Sequence, residues 1–228
     1  MIFPCIDLMG GKAVQLVQGR PENIKVAIDD VTKLAKEFSR FGELQLIDLD
    51  AAMDKGSNID PIQDICNFAD CRVGGGIRTV EKAEEVLNAG AKKIILGSTV
   101  FKDDKINIEF LQKLDKEEVI IAIDSLKGNI VSKGWTHDTG IKTEDAVKQL
   151  EPYCSEFLYT YVDKEGTLEG IDIELVKKLK SLTKNDLTVA GGINSLEQIK
   201  ELQKLGINSA LGMVLYTGKV KLDELKGI

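Results

Sequence analysis

Asp7 and Asp124 each close a short apolar run, IFPCID and VIIAID, and they lie 117 positions apart in a chain of 228 residues. A carboxylate at the end of an otherwise apolar strand is costly unless it is paired, solvated or used in chemistry. The chain contains one histidine, His137, so two carboxylates are the natural candidates for a general acid and a general base. Most single aspartates cap helices or sit on the rim; the repeated placement of these two favours function.

Glycines follow the same rhythm. VGGGIRT (73–79) and VAGGINS (189–195) are 116 positions apart, and Gly97 of ILGSTVF and Gly212 of ALGMVLY are 115 apart. The segment AIDSLKGNIVSKGW (122–135) also echoes CIDLMGGKAVQLVQG (5–19). A nearly constant offset over several motifs implies two copies of one structural unit. Glycine lets the backbone take positive φ or approach a ligand closely, at an entropic cost. One cluster at a strand-to-helix turn is commonly turn chemistry alone; four related by a repeat point to anion cradles, in which backbone N–H groups at a helix start face a phosphate. Gly191, Gly192 and Gly212 would form one cradle, and Gly75, Gly76, Gly97 and Ser98 the other. The ligand expected is a small molecule with a phosphate at each end. VGGGIRT has neither the lysine of a Walker A loop nor the glycine spacing of a dinucleotide fingerprint.

The elements that must hold these residues are eight short apolar segments, at 2–7, 43–48, 71–75, 92–97, 119–124, 156–160, 187–191 and 208–212, each read as a buried strand. Helical patterns alternate with them: Val80, Ala83, Val86 and Leu87 share a face, as do Leu196, Ile199 and Leu202, and Ser195 with Gln198 has capping-box spacing. Asp60 and Pro61 read as an N-cap and first helical residue. The alternation predicts a single (β/α)8 TIM barrel over 1–228, built from two half-barrels, with its site at the strand C-termini; an open doubly wound sheet is the alternative. On that frame Asp48 and Thr160 end strands 2 and 6 and are expected to point into the mouth, Thr160 to bond substrate or the catalytic Asp124. Trp135 follows the Asp124 strand in a loop, placed either to stack on a heterocycle or to pack on its own hairpin. His137 reads as a solvated loop residue and Cys5 as a small core residue.

The composition narrows the partners. A net charge of −7 gives no overall positive field for nucleic acid or an anionic membrane. The four cysteines show no C-x-x-C pair and no zinc-site spacing, so no metal is expected and the thiols should be free, in a cytoplasmic protein. The start MIFPCIDLMG lacks a signal-peptide pattern, and no run is long enough to span a membrane. The chain is expected to act as a monomer.

These motifs resemble the phosphoribosylformimino-aminoimidazole carboxamide ribotide isomerase family of histidine biosynthesis, over essentially the entire chain. The matching stretches are PCIDLMGGKAVQLVQG (4–19), LIDLDAA (46–52), VGGGIR (73–78), GST (97–99), IDSLKGNIVSKGW (123–135), G-T-L-x-G (166–170) and AGGI (190–193). The resemblance implies an Amadori rearrangement of an aminoaldose to an aminoketose, with Asp124 as acid and Asp7 as base, no metal or redox cofactor, and Gly19 and Arg78 among the substrate-binding residues. The cyclase subunit of imidazole glycerol phosphate synthase shares the half-barrel repeat and both aspartates, but the KGW tryptophan and the short loop after Asp124 look like the isomerase. A non-catalytic barrel sensing a bisphosphorylated metabolite is a further alternative; it would need the cradles but not both aspartates. The chain departs from many relatives at Gln15, where they have Arg, at Glu165, where they have Asp, and in the loop after Gly19. Some relatives also isomerise phosphoribosylanthranilate using loop arginines; 125–134 has none, so one substrate is expected.

Overall fold

A computed structural model describes residues 1–17, 19, 22–162 and 168–226. Eight strands, β1 (Ile2–Met9), β2 (Leu44–Asp48), β3 (Cys71–Gly74), β4 (Lys93–Leu96), β5 (Val119–Leu126), β6 (Glu156–Tyr161), β7 (Asp186–Ala190) and β8 (Asn208–Leu211), pair in parallel in sequence order. The circle closes where β8 pairs β1, with Phe3 opposite Ala210. Helices alternate with the strands: α1 (Val31–Phe38), α2 (Leu49–Ala52), α3 (Ile59–Cys66), α4 (Val80–Asn88), α5 (Ile108–Leu111), α6 (Thr143–Leu150), α7 (Ile173–Ser181), α8 (Leu196–Lys204) and α9 (Met213–Tyr216). The fold is a (β/α)8 barrel, and the open sheet is excluded by its closure. No helix among the described residues is long and apolar enough to cross a membrane.

Side chains alternate across each strand, and that parity sorts the barrel interior into layers. At the floor lie Phe3, Gln45, Arg72, Glu156 and Thr188, all buried. Arg72, 1% exposed, donates to Glu156 at 2.5 Å and lies over the Phe3 ring at 3.2 Å, and Thr188 donates to the same Glu156 oxygen. Above them Cys5, Ile95, Ile120, Leu158 and Ala210 form an apolar layer inside the barrel, with Ile47, Ala122 and Ala190 packed against it. Two residues further along their strands come Asp7, Asp124 and Thr160. A larger apolar layer, including Ala83, Val86, Ile199 and Leu202, joins strands to helices outside.

Strands β1 and β5 run two residues beyond their expected ends because each folds back. Gly10–Gly11, with φ of +59° and +74°, and Lys127–Gly128, with φ of +51° and +82°, make two-residue turns that pair Met9 with Lys12 and Leu126 with Asn129. Positive φ at both turn positions marks a type I′ hairpin, whose twist suits the flanking strands. The first flap continues through Lys12–Leu16 and Ile24–Ile28, the second through Asn129–Ser132 and His137–Lys142. The segment 125–134, expected as a loop, is thus mostly hairpin. His137 opens a flap strand and contacts Asp104 at 2.6 Å, because the flap brings it against the β4–α5 connection.

Helix α3 begins at Ile59, not at Pro61, with Asn58 as N-cap. The Asn58 side chain caps nothing there, being bonded instead to Asp48 and Asp50. Ser195 caps α8 through Gln198 N, while the Gln198 amide oxygen returns to Asn194 N rather than to Ser195. Glu165 and the start of the G-T-L-x-G motif lie outside the described residues.

Candidate active site

Asp7 and Asp124 end the inward faces of β1 and β5, four strands apart in a ring of eight and so on opposite sides of the mouth. Burial raises both carboxyls, and takes Asp7 from 3.8 to about 7. Their donors differ. Asp7 accepts from the Gln15 amide at 3.3 Å. Asp124 accepts from the indole nitrogen of Trp135 at 2.8 Å and from Thr160, and both bonds favour the charged form and oppose the rise caused by burial. Thr160 therefore sits where the sequence places it, beside Asp124.

Trp135 packs beyond its own hairpin. Its ring lies against Gly19 of the first flap, so close that a Cβ there would stand 2.7 Å from Cζ3. The same turn is tied to the end of β4, where Lys133 N donates to Ser98 Oγ at 2.8 Å. The second flap thus brings Asp124, Trp135, Gly19 and Ser98 together over one side of the barrel.

Asp48 does not face the mouth as expected. Ile47 turns inward, so its neighbour Asp48 turns outward by strand parity. Its buried carboxylate accepts from Ala51 N at 3.0 Å, Asn58 N at 2.7 Å, Asn58 Nδ2 at 2.7 Å and Ser57 Oγ at 3.2 Å. Asn58 and Asp50 in turn accept from Gly11 N and Gly10 N, at 3.0 and 2.6 Å. Asp48 organises the 49–58 loop, and through it the turn that follows Asp7.

That loop also accounts for other residues expected at the ligand. A Cβ on Gly75 would stand 2.2 Å from the Asp48 carbonyl oxygen, and one on Gly76 2.4 Å from that of Ala51. Both glycines are therefore required by chain-to-chain approach. Arg78 spans the carbonyls of Ala51 and Ala52 and the Asp54 carboxylate. At the N-termini of α4 and α8 the Thr79 and Ser195 hydroxyls each accept from one backbone N–H, that of Lys82 and that of Gln198.

The glycines after β4 and β8 behave differently. Gly97 (φ −111°, ψ −108°) and Gly212 (φ −105°, ψ −100°) share one unusual conformation, and each opens a short helical turn, at 98–100 and 213–216. A Cβ on Gly97 would meet nothing closer than Ala122 Cβ at 4.0 Å, so the space beside it is open. Gly191 and Gly192 hold φ of +80° and +75°.

Two residues lie near Asp7 where the sequence gives no such placement. Gln15, 5% exposed, lies between Asp7 and Gly212. Tyr216 of α9 donates to the Cys5 carbonyl at 3.1 Å, and its phenol is held protonated by burial, with Asp7 and Cys5 adding to the shift. The Gly10–Gly11 turn and the closure of β8 on β1 are the signals that could have found them. Among the described residues no group of three or more His, Cys, Asp or Glu is arranged to hold a metal.

Relatives named 1-(5-phosphoribosyl)-5-((5-phosphoribosylamino)methylideneamino)imidazole-4-carboxamide isomerase include one from Methanocaldococcus jannaschii, 34% identical over 98% of this chain and 97% of its own length. Another from Aquifex aeolicus is 36% identical over 99% and 97%, and one from Nitrosopumilus maritimus 32% identical over 99% and 98%. The histidine biosynthesis protein family matches residues 1–221, a span that takes in all eight strands and both aspartates, and the chain belongs to that family.

Proposed function

We infer that this chain is an aldose–ketose isomerase of histidine biosynthesis that acts on the substrate named for its relatives, with Asp124 as general acid and Asp7 as general base. The observation that carries the mechanism is the pair of inward carboxylates on opposite strands, both raised by burial but unequally supplied with donors. An acid ends its step as an anion, and the Trp135 and Thr160 donors stabilise that anion. A base must begin as a poorly stabilised anion, and Asp7, with its affinity for a proton raised to about pH 7, meets that need.

The reaction follows in balanced steps. Asp124 gives its proton to the furanose ring oxygen as the C1–O bond breaks, leaving an iminium between C1 and the amino nitrogen. Asp7 takes the proton from C2, and the C–H electrons form the enolamine. Tautomerisation, with a proton delivered to C1, yields the ketose. Acid–base transfer suffices, and the steps call on no metal or redox cofactor.

The name of these relatives carries two phosphoribosyl groups, which suits phosphate sites on two sides of the mouth: Gly97 and Ser98 on one, Gly191, Gly192 and Gly212 on the other. Gly19 and Trp135 would border the heterocycle, while Asp48, Arg78, Gly75 and Gly76 shape the loop beside it. Incubation with the aminoaldose should give the ketose of equal mass, separable by chromatography. Asp7→Asn should lose exchange of the C2 hydrogen with deuterated solvent; exchange at the wild-type rate would remove Asp7 from the role of base.

A further inference from the structure

We propose that Gln15 is a positioning residue for Asp7, its side-chain amide fixing one carboxylate oxygen and leaving the other free to face the substrate. The proposal rests on the reading of Asp7 as the base. A buried primary amide is costly unless its donors are used, and both protons of Gln15 Nε2 are accounted for: one goes to Val14 O at 3.1 Å, the other to Asp7 Oδ2 at 3.3 Å. The first bond anchors the amide to its own strand, so the second holds Asp7 against the flap. The amide oxygen has a place of its own, 2.8 Å from where a Cβ on Gly212 would stand. One side chain thus sets the orientation of Asp7 and lies against Gly212, joining the base to the turn proposed to hold phosphate.

An apolar side chain in place of Gln15 would leave Oδ2 without this donor and the carboxyl free to rotate. Among the described residues around Asp7, Tyr216 on α9 is a protonated phenol, Cys5 precedes Asp7 on β1, and Ile47 from β2 and Val14 from the flap are apolar. Asp48 turns away into its own loop, Asp124 stands across the mouth, and Lys12 at the flap edge is paired with Asp29.

Gln15→Met keeps the volume without the amide, and Gln15→Glu keeps the shape while adding a like charge. Both are made in the full chain, and the titration of Asp7 is followed by carbon-13 carboxyl NMR, assigned with Asp7→Asn and read without substrate. The titration midpoint should rise in Gln15→Met and rise further in Gln15→Glu. With the aminoaldose, Gln15→Met should lose about 10–100-fold in kcat, as expected for a misplaced catalytic group, with KM within about threefold. The acidic limb of kcat/KM should move upward with the midpoint. Wild-type kcat in Gln15→Met, or a midpoint unmoved in both variants, overturns the proposal; lost activity with an unmoved midpoint does so too, since the loss would then come from the fold. If wild type fails to convert the aminoaldose, the functional reading falls, and the titration still decides whether Gln15 governs Asp7.

Discussion

Replacing Asp7 by Asn should stabilise the protein in a pH-dependent way while removing its activity. In the unfolded chain the carboxyl titrates near 3.8, and burial in the folded chain raises it to about 7. The folded state therefore binds this proton more tightly. Stability from this group is fully present below about pH 4 and is lost as pH rises to about 7, where the folded protein must also hold a buried anion. A rise of about three pK units, at about 1.4 kcal/mol each, sets a ceiling of about 4 kcal/mol. Asp7 is only half-buried and water reaches the mouth, so about 1–3 kcal/mol is expected. Asparagine can still accept from Gln15 and carries no charge. Urea unfolding of both proteins at pH 4, 5.5 and 8.5 should show no advantage for Asp7→Asn at the lowest pH, a growing one through the middle and a plateau above about 7, while kcat falls on the order of 10²–10⁴. Tyr216, whose shift Asp7 adds to, stays protonated over this range, so the difference reports Asp7. A difference that is flat with pH, or that favours the wild type above pH 7, would refute the assignment of a buried, destabilised carboxylate.

Other perturbations separate the roles of neighbouring residues. Gly75→Ala puts a Cβ 2.2 Å from the Asp48 carbonyl at a φ of +104° and should cost about 3 kcal/mol or more in urea unfolding. Gly97→Ala, with 4.0 Å of room, should cost no more than about 1 kcal/mol and act on KM instead; equal losses of stability in the two variants would erase the distinction between loop-packing and cradle glycines. Trp135→Phe retains a ring against Gly19 but loses the donor to Asp124, so the limb of the kcat/KM profile set by Asp124 should move to higher pH; an unmoved limb would separate Trp135 from the acid. Glu156→Gln leaves Arg72 without its carboxylate at the barrel floor and should destabilise by about 3–5 kcal/mol, read as a lower urea midpoint; an unchanged midpoint would show that Phe3 and Thr188 suffice to hold the guanidinium.

The eight strands were legible because each is a short apolar run between polar helical segments, and each appears within about two residues of its expected bounds. The two flaps were not read, although Gly10–Gly11 and Lys127–Gly128 carry a local signal, two-residue turns at positive φ. Reading them as hairpins would have extended β1 and β5 and brought Gln15 beside Asp7. Asp48 was misdirected by treating a strand end as sufficient to face the mouth; parity with Ile47 decides the face, and one residue of register reverses it. Gly75 and Gly76 mark a different limit. Sequence shows that a position tolerates no side chain, but whether a ligand or another stretch of backbone occupies the space depends on contacts with Asp48 and Ala51, some 25 residues earlier. Tyr216 lay further out of reach, since only the closure of β8 onto β1 brings α9 to the carbonyl of Cys5.

The two strand ends are built alike: an apolar strand, an inward aspartate, a two-residue turn and a flap folded over the mouth. Such a frame alone would give two equivalent carboxylates, and equivalent carboxylates cannot divide acid from base. On the proposed assignment of acid and base, the division comes from what each flap delivers. The first flap offers Asp7 a neutral amide from Gln15, a weak stabiliser of the anion. The second offers Asp124 the indole N–H of Trp135, which joins the hydroxyl of Thr160 on the neighbouring strand. Desolvation raises both groups, and hydrogen bonding then lowers one against the other. On this account the roles should follow the donors rather than the strands. Removing the indole donor should bring Asp124 toward the behaviour of Asp7.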